Sequence, residues 1–117
     1  MEDDLFAKKR PQTEVKHDIL ESYLRPWAKI VGTHFRRAYY VDAFAGTGKY
    51  ESGEEGSPVI GARILLEERR PSCQFEVICI EKKKEHVEKL RRCQSEFEGK
   101  IPFQIVKGEF TNLIHGV

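Results

Sequence analysis

Three short runs rich in β-branched and aromatic residues, "AYYVDAF" (38–44), "CQFEVICIE" (73–81) and "IPFQIVKGEF" (101–110), alternate with longer segments of helical periodicity. This alternation constrains the fold more than any other feature. Runs so apolar fit strands covered on both faces, and strands joined through helices return by right-handed crossovers onto a parallel sheet. Ahead of the first strand, Val15, Ile19, Tyr23, Trp27 and Ile30 fall three or four apart, which predicts a helix with these residues on one face. Pro26 is expected to kink that helix or to start a second one at "PWAKIV", with Gly32 and Thr33 as a stop. Ser57 and Pro58, a capping serine and a first-turn proline, announce the next helix, which runs through "VIGARILLEERR" to Pro71. In "KKKEHVEKLRRCQSEF", Val87, Leu90 and Phe97 share one side among charges, and Gly99 ends the helix. "TNLIHGV" (111–117) is expected to open a further helix. The predicted fold class is α/β, a Rossmann-like three-layer sandwich with parallel strands in the order 3-2-1 and flanking helices. Residues 1–13 are expected to form a mobile lead-in and 14–117 a single domain.

At 117 residues one domain is the ceiling. Twenty Lys and Arg stand against nineteen Asp and Glu, so net charge points to neither nucleic acid nor membrane. The basic clusters Lys8–Arg10, Arg36 and Arg37, Arg69 and Arg70, and Lys82–Lys84 are separated by acids, as on a solvated surface, and leave nucleic-acid binding open. Cys73, Cys79 and Cys93 are odd in number and lack CxxC spacing, so no metal site is expected; Cys79, in an apolar run, reads as a small buried hydrophobe. Met1 is followed by acids rather than an apolar signal region, and no stretch approaches a membrane span. The expected location is therefore cytoplasmic.

The glycine loop after the first strand, "VDAFAGTGKYESGEEGSP", carries the chemistry. A Walker phosphate loop fails here, because Ala43 replaces its first glycine and Tyr50 its magnesium-binding hydroxyl. The dinucleotide fingerprint fails too, because Glu51 stands where its third glycine belongs. A carboxylate at Asp42 would repel a pyrophosphate, yet it suits a ligand with an amino group and a sulfonium charge, namely S-adenosylmethionine. Glu81 closes the second strand, where an acid can take both ribose hydroxyls, and Glu109 closes the third within reach of an adenine edge. Plainer readings stand beside these: Glu81 as an acid at a helix start, Glu109 as a surface residue. The cofactor-binding set is thus Asp42, Phe44, Ala45, Gly46, Thr47, Gly48, Glu81 and Glu109. Between Gly48 and Ser57, "KYESGEEG" is read as a flap over the pocket or an exposed excursion.

"EVKHDILESYLRPWAKIV", "YYVDAFAGTGKYESGEEGSPVIGA" and the strand ending in Glu81 together resemble the three-Cys-motif partner protein family, over residues 13 to about 110. That family is similar to class I S-adenosylmethionine-dependent methyltransferases, and "DAFAGTG" is similar to their first motif. The resemblance implies that Asp42, Phe44, Gly46 and Gly48 form the cofactor loop, that Glu81 binds ribose and that Glu109 lies on the adenine side. It also implies a protein partner bearing a three-cysteine motif of the radical-cofactor kind; the cysteines of this chain do not form that motif. Lys16, His17 and Trp27 match the family's leading helix, with Trp27 expected in the core and His17 on the helix surface.

The methyltransferases that the resemblance implies place their catalytic motif after a fourth strand, so no catalytic residue is assigned here. The first strand would be left as an apolar, unpaired edge. The chain is therefore expected to be a fragment of a longer protein or to self-associate through that strand. Two functions stay open. One is the cofactor-binding half of a methyltransferase acting on nucleic acid or protein. The other is a non-catalytic interaction partner that keeps the fold.

Overall fold

The computed structural model describes residues 11–43, 45–50 and 52–108. Six elements follow one another: α1 (Pro11–His34), β1 (Arg37–Asp42), α2 (Ser57–Glu67), β2 (Gln74–Glu81), α3 (Lys84–Glu96) and β3 (Phe103–Lys107). The strands form one parallel sheet in the order β1-β2-β3, which is the expected 3-2-1 counted from the other edge. Register runs from Arg37↔Gln74 to Asp42↔Cys79 and from Val77↔Phe103 to Glu81↔Lys107. The expected helix at 111–117 lies outside the described residues, as does most of the lead-in; helix is already present at residues 11–13.

Partners in register share a face of the sheet, and this places the helices. Tyr40 and Asp42 meet α2 through Gly61 and Ser57. Phe75 lies under Gly32 of α1, and Phe103 stacks on Phe97 at the end of α3, ring centroids 5.7 Å apart. All three helices therefore cover the face carrying Ala38, Tyr40, Val77 and Phe103, as right-handed crossovers running in one direction require of α2 and α3. The described residues make two layers; a third, on the face of Tyr39, Val41 and Ile78, is not among them. No helix among the described residues is long and apolar enough to cross a membrane.

The core is built where the apolar spacing permits. On α2, Val59, Ile60, Ala62, Ile64 and Leu65 are buried, against Phe75, Val77 and Cys79 of β2. On α3, Val87, Leu90 and Cys93 recur at three-residue steps and are buried, with Phe97 following, as the charge-flanked spacing predicts. Tyr40 packs so tightly on α2 that a Cβ at Gly61 would lie 2.5 Å from its ring.

α1 corrects two expectations. No second helix starts at Pro26: α1 is one helix through it, the lost backbone bond being offset by the burial of Leu24 and Ala28 against α2. Its inward stripe is His17, Leu20, Leu24, Ala28 and Val31, offset by one or two positions from the predicted face. Val15, Ile19, Tyr23, Trp27 and Ile30 point outward, Tyr23 at 73% exposure and Trp27 at 37%, so Trp27 is not a core residue. His17, expected on the surface, is 3% exposed.

Candidate functional site

Asp42 ends β1 and Glu81 ends β2, on adjacent strands at the carboxyl edge of the sheet, where ligands of open α/β sheets bind. Both carboxylates are buried, at 7% and 9% exposure. A buried carboxylate is costly unless hydrogen-bonded, and the local chain supplies the donors. Ser57 Oγ donates to Asp42 Oδ2 at 2.5 Å, and the Tyr40 hydroxyl donates to the same oxygen at 3.4 Å. Ser57 therefore does not cap α2 with its side chain. The N-cap is Gly56, whose carbonyl accepts the first helical bond from Ile60, and Ser57 is the first helical residue, turned toward β1. Burial first, and then the charge of Asp42, push the Tyr40 hydroxyl far above its ordinary value, which keeps it a donor; the same two causes, in the same order, push up the Cys79 thiol.

Glu81 fastens two segments. Its Oε1 accepts the Gly46 amide at 2.9 Å and its Oε2 accepts the Lys83 amide at 3.0 Å, while His86 Nδ1 lies 3.4 Å from Oε2. One carboxylate thus holds both the glycine loop and the chain entering α3. The Ala45 amide adds a bond to the Ile80 carbonyl at 3.3 Å.

The loop itself needs glycine at two positions for different reasons. Gly46 has φ +66° and directs its amide at Glu81. Gly48, at φ +84°, is pressed on α3: a Cβ there would meet Cys93 Sγ at 2.7 Å and Leu90 Cδ1 at 3.0 Å. Packing alone accounts for Gly48. Thr47 is buried and donates to the Lys49 carbonyl at 2.6 Å.

The segment after the loop is a small closed excursion. Gly56 donates to the Gly48 carbonyl at 2.6 Å, Lys49 and Glu55 form an antiparallel bridge, and the Tyr50 amide donates to the Glu54 carbonyl at 2.9 Å. Lys49 Nζ reaches Glu96 of α3 at 2.7 Å, and the Tyr50 ring lies 6.1 Å from that of His17 on α1. Of the predicted set, then, Asp42, Ala45, Gly46, Thr47, Gly48 and Glu81 gather at one edge. Phe44 and Glu109 lie outside the described residues.

No family model, no curated protein and no solved structure matches this chain. What the site can do rests on its own geometry. Two buried carboxylates on neighbouring strand ends favour a cationic ligand. Each Glu81 oxygen accepts one backbone amide and Oε2 also faces His86, while a carboxylate has about four acceptor positions. The pair fits a ligand that brings positive charge and hydroxyl donors. Sequence reasoning missed Ser57 and Tyr40 as partners of Asp42. The only local sign was a serine at a helix start, which equally signals a cap. Among the described residues no three or more His, Cys, Asp or Glu cluster as a metal site.

Proposed function

We propose that this chain is the cofactor-binding half of a class I methyltransferase-like domain, binding S-adenosylmethionine at the carboxyl edge of its sheet. The observation that carries the reading is the pair Asp42 and Glu81, buried at the ends of adjacent parallel strands on either side of a glycine loop. Asp42 would attract the amino and sulfonium charges, and Glu81 would take the ribose hydroxyls with its remaining acceptor positions. Bound there, the cofactor supplies an electrophilic methyl group; the chain's residues bind and orient it.

Because both acids also hold the fold together, truncation to alanine would confuse binding with stability. Asp42→Asn is the cleaner variant: it keeps one oxygen as acceptor for Ser57 and Tyr40 and removes the charge. Calorimetric titration should give saturable S-adenosylmethionine binding that weakens roughly tenfold or more in Asp42→Asn, since a hydrogen bond or contact to a charged group is worth about 1.5–3 kcal/mol. S-adenosylhomocysteine, which lacks the sulfonium charge, should lose less. Equal affinity of parent and variant, or no saturable binding by the parent, refutes the assignment.

A second reading is favoured by the outer side of the molecule, where the apolar stripe of α1 adjoins the edge of β1 that no described strand pairs. Ile19, Tyr23, Trp27, Tyr39 and Val41 line one groove there. Ala38–Val41 carries neither charge nor proline, the usual protection of an edge strand. A strand of this kind is self-complementary: the β1 of a second copy can pair with it antiparallel across a two-fold axis. On this reading the fold serves protein association.

A further inference from the structure

Basic residues that are scattered in sequence converge at the amino edge of the sheet, opposite the carboxylate site. Arg37 opens β1 with Arg36 just ahead of it, and the Arg36 carbonyl accepts the Gln74 amide at 2.8 Å. Gln74 in turn lines a cavity of about 370 Å³ together with Arg69, Arg70 and Lys100. The floor of that cavity is apolar, formed by Leu66, Phe75, Ile101 and Pro102. All five cations are exposed, and among the described residues none of them forms an ion pair. Arg70 makes one neutral contact, donating to Thr33 Oγ1 at 3.0 Å. The neighbouring acids Glu67 and Glu68 are already committed to Arg25 and Arg63. A chain of net charge +1 therefore places five positive charges on one rim, against two nearby acids, Glu76, which accepts from Gln74 Nε2 at 3.2 Å, and Glu98 beside Lys100.

We infer that this rim is a docking surface for single-stranded nucleic acid. Four of the five cations are arginines, whose planar fork matches phosphate oxygens in pairs. An apolar floor beneath a cationic rim suits an unstacked base whose flanking phosphates lie on the guanidinium groups. A duplex is the poorer fit, because the rim is built from turns and strand starts rather than from a helix or ribbon that could enter a groove. The eight residues of β2 separate the rim from Glu81 by about 25 Å at roughly 3.3 Å per residue, so the inference does not depend on the cofactor assignment.

The test is fluorescence anisotropy with a labelled oligouridylate of about fifteen nucleotides. Four phosphate contacts on a single strand give a log–log salt slope of about −2.8, so raising salt from about 50 to about 200 mM should weaken binding roughly 50-fold. The variant Arg36→Ser/Arg37→Ser/Arg69→Ser/Lys100→Ser should lose binding, and the milder Arg69→Ser/Lys100→Ser should weaken it at an unchanged melting temperature. Lys82→Ser/Lys84→Ser, at the opposite edge, should bind as the parent does. Four results each overturn the inference: no saturable binding at low salt, affinity independent of salt, full affinity in the rim variants, or equal loss in the Lys82/Lys84 variant. Displacement of the oligonucleotide by anionic phosphatidylserine vesicles, with tighter binding to them, would assign the rim to a membrane surface instead.

Discussion

Replacing Glu81 separates its two anchoring bonds, and their sizes follow from where each donor sits. The Gly46 amide is buried and meets Oε1 at 2.9 Å, whereas the Lys83 amide is only partly buried and meets Oε2 at 3.0 Å. In Glu81→Gln the single side-chain oxygen will stay with Gly46, because stranding a buried donor costs about 1–3 kcal/mol, while water can replace the acceptor at Lys83. The expected loss is about 1 kcal/mol. Glu81→Ala strands the Gly46 amide as well and should cost about 2–3 kcal/mol. At roughly 4 °C per kcal/mol for a domain of this size, the melting temperature should fall by about 4 °C in the glutamine variant and about 8–12 °C in the alanine variant. Thermal unfolding followed by circular dichroism reads both. If the two variants melt alike, or if both melt within about 2 °C of the parent, Glu81 does not clamp the loop and the reasoning fails.

Gly61→Ala gives a test of sign. In a free helix the change would stabilise by about 1 kcal/mol, but here the new Cβ would lie 2.5 Å from the Tyr40 ring, so a net loss of about 1–3 kcal/mol in denaturant unfolding is expected; any gain refutes the contact. The thiols of Cys73, Cys79 and Cys93 are all buried, and burial pushes those of Cys79 and Cys93 up, so iodoacetamide should label the native chain only as fast as it opens, and all three in denaturant. Rapid labelling of a native thiol at pH 8 would contradict that burial. Self-association through β1 predicts a concentration-dependent mass in sedimentation that Val41→Lys abolishes; a parent that stays monomeric throughout removes the second functional reading.

The strand and helix alternation could be read from sequence because each element's period was unambiguous. Val87, Leu90 and Phe97 stand among charges, so only one face of α3 could be apolar. α1 misled for the opposite reason: it carries two apolar stripes offset by one or two positions, and the groove of α2, a long-range partner, selects the one with Leu24 and Ala28. Asp42 and Glu81 were recognisable as acids at strand ends. Their distant donors were not, since Ser57 lies fifteen residues from Asp42 and Gly46 thirty-five from Glu81, and no local pattern links them. The basic rim was invisible for the same reason, being assembled by strand register rather than by sequence neighbours.

The excursion between Gly48 and Gly56 leaves and returns at one point, its neck closed by the 2.6 Å bond between those two glycines and by the Lys49–Glu55 bridge. Its length is consequently decoupled from the spacing of β1 and α2. Gly53 at its tip has open space around it, and lengthening a loop adds closure entropy only slowly, about 0.6 kcal/mol per doubling. The tip can therefore vary in length while Lys49, Tyr50 and Glu55 hold its base, and a peptide tag or reporter domain grafted between Ser52 and Gly53 would be carried by the fold without displacing the acids at the sheet edge.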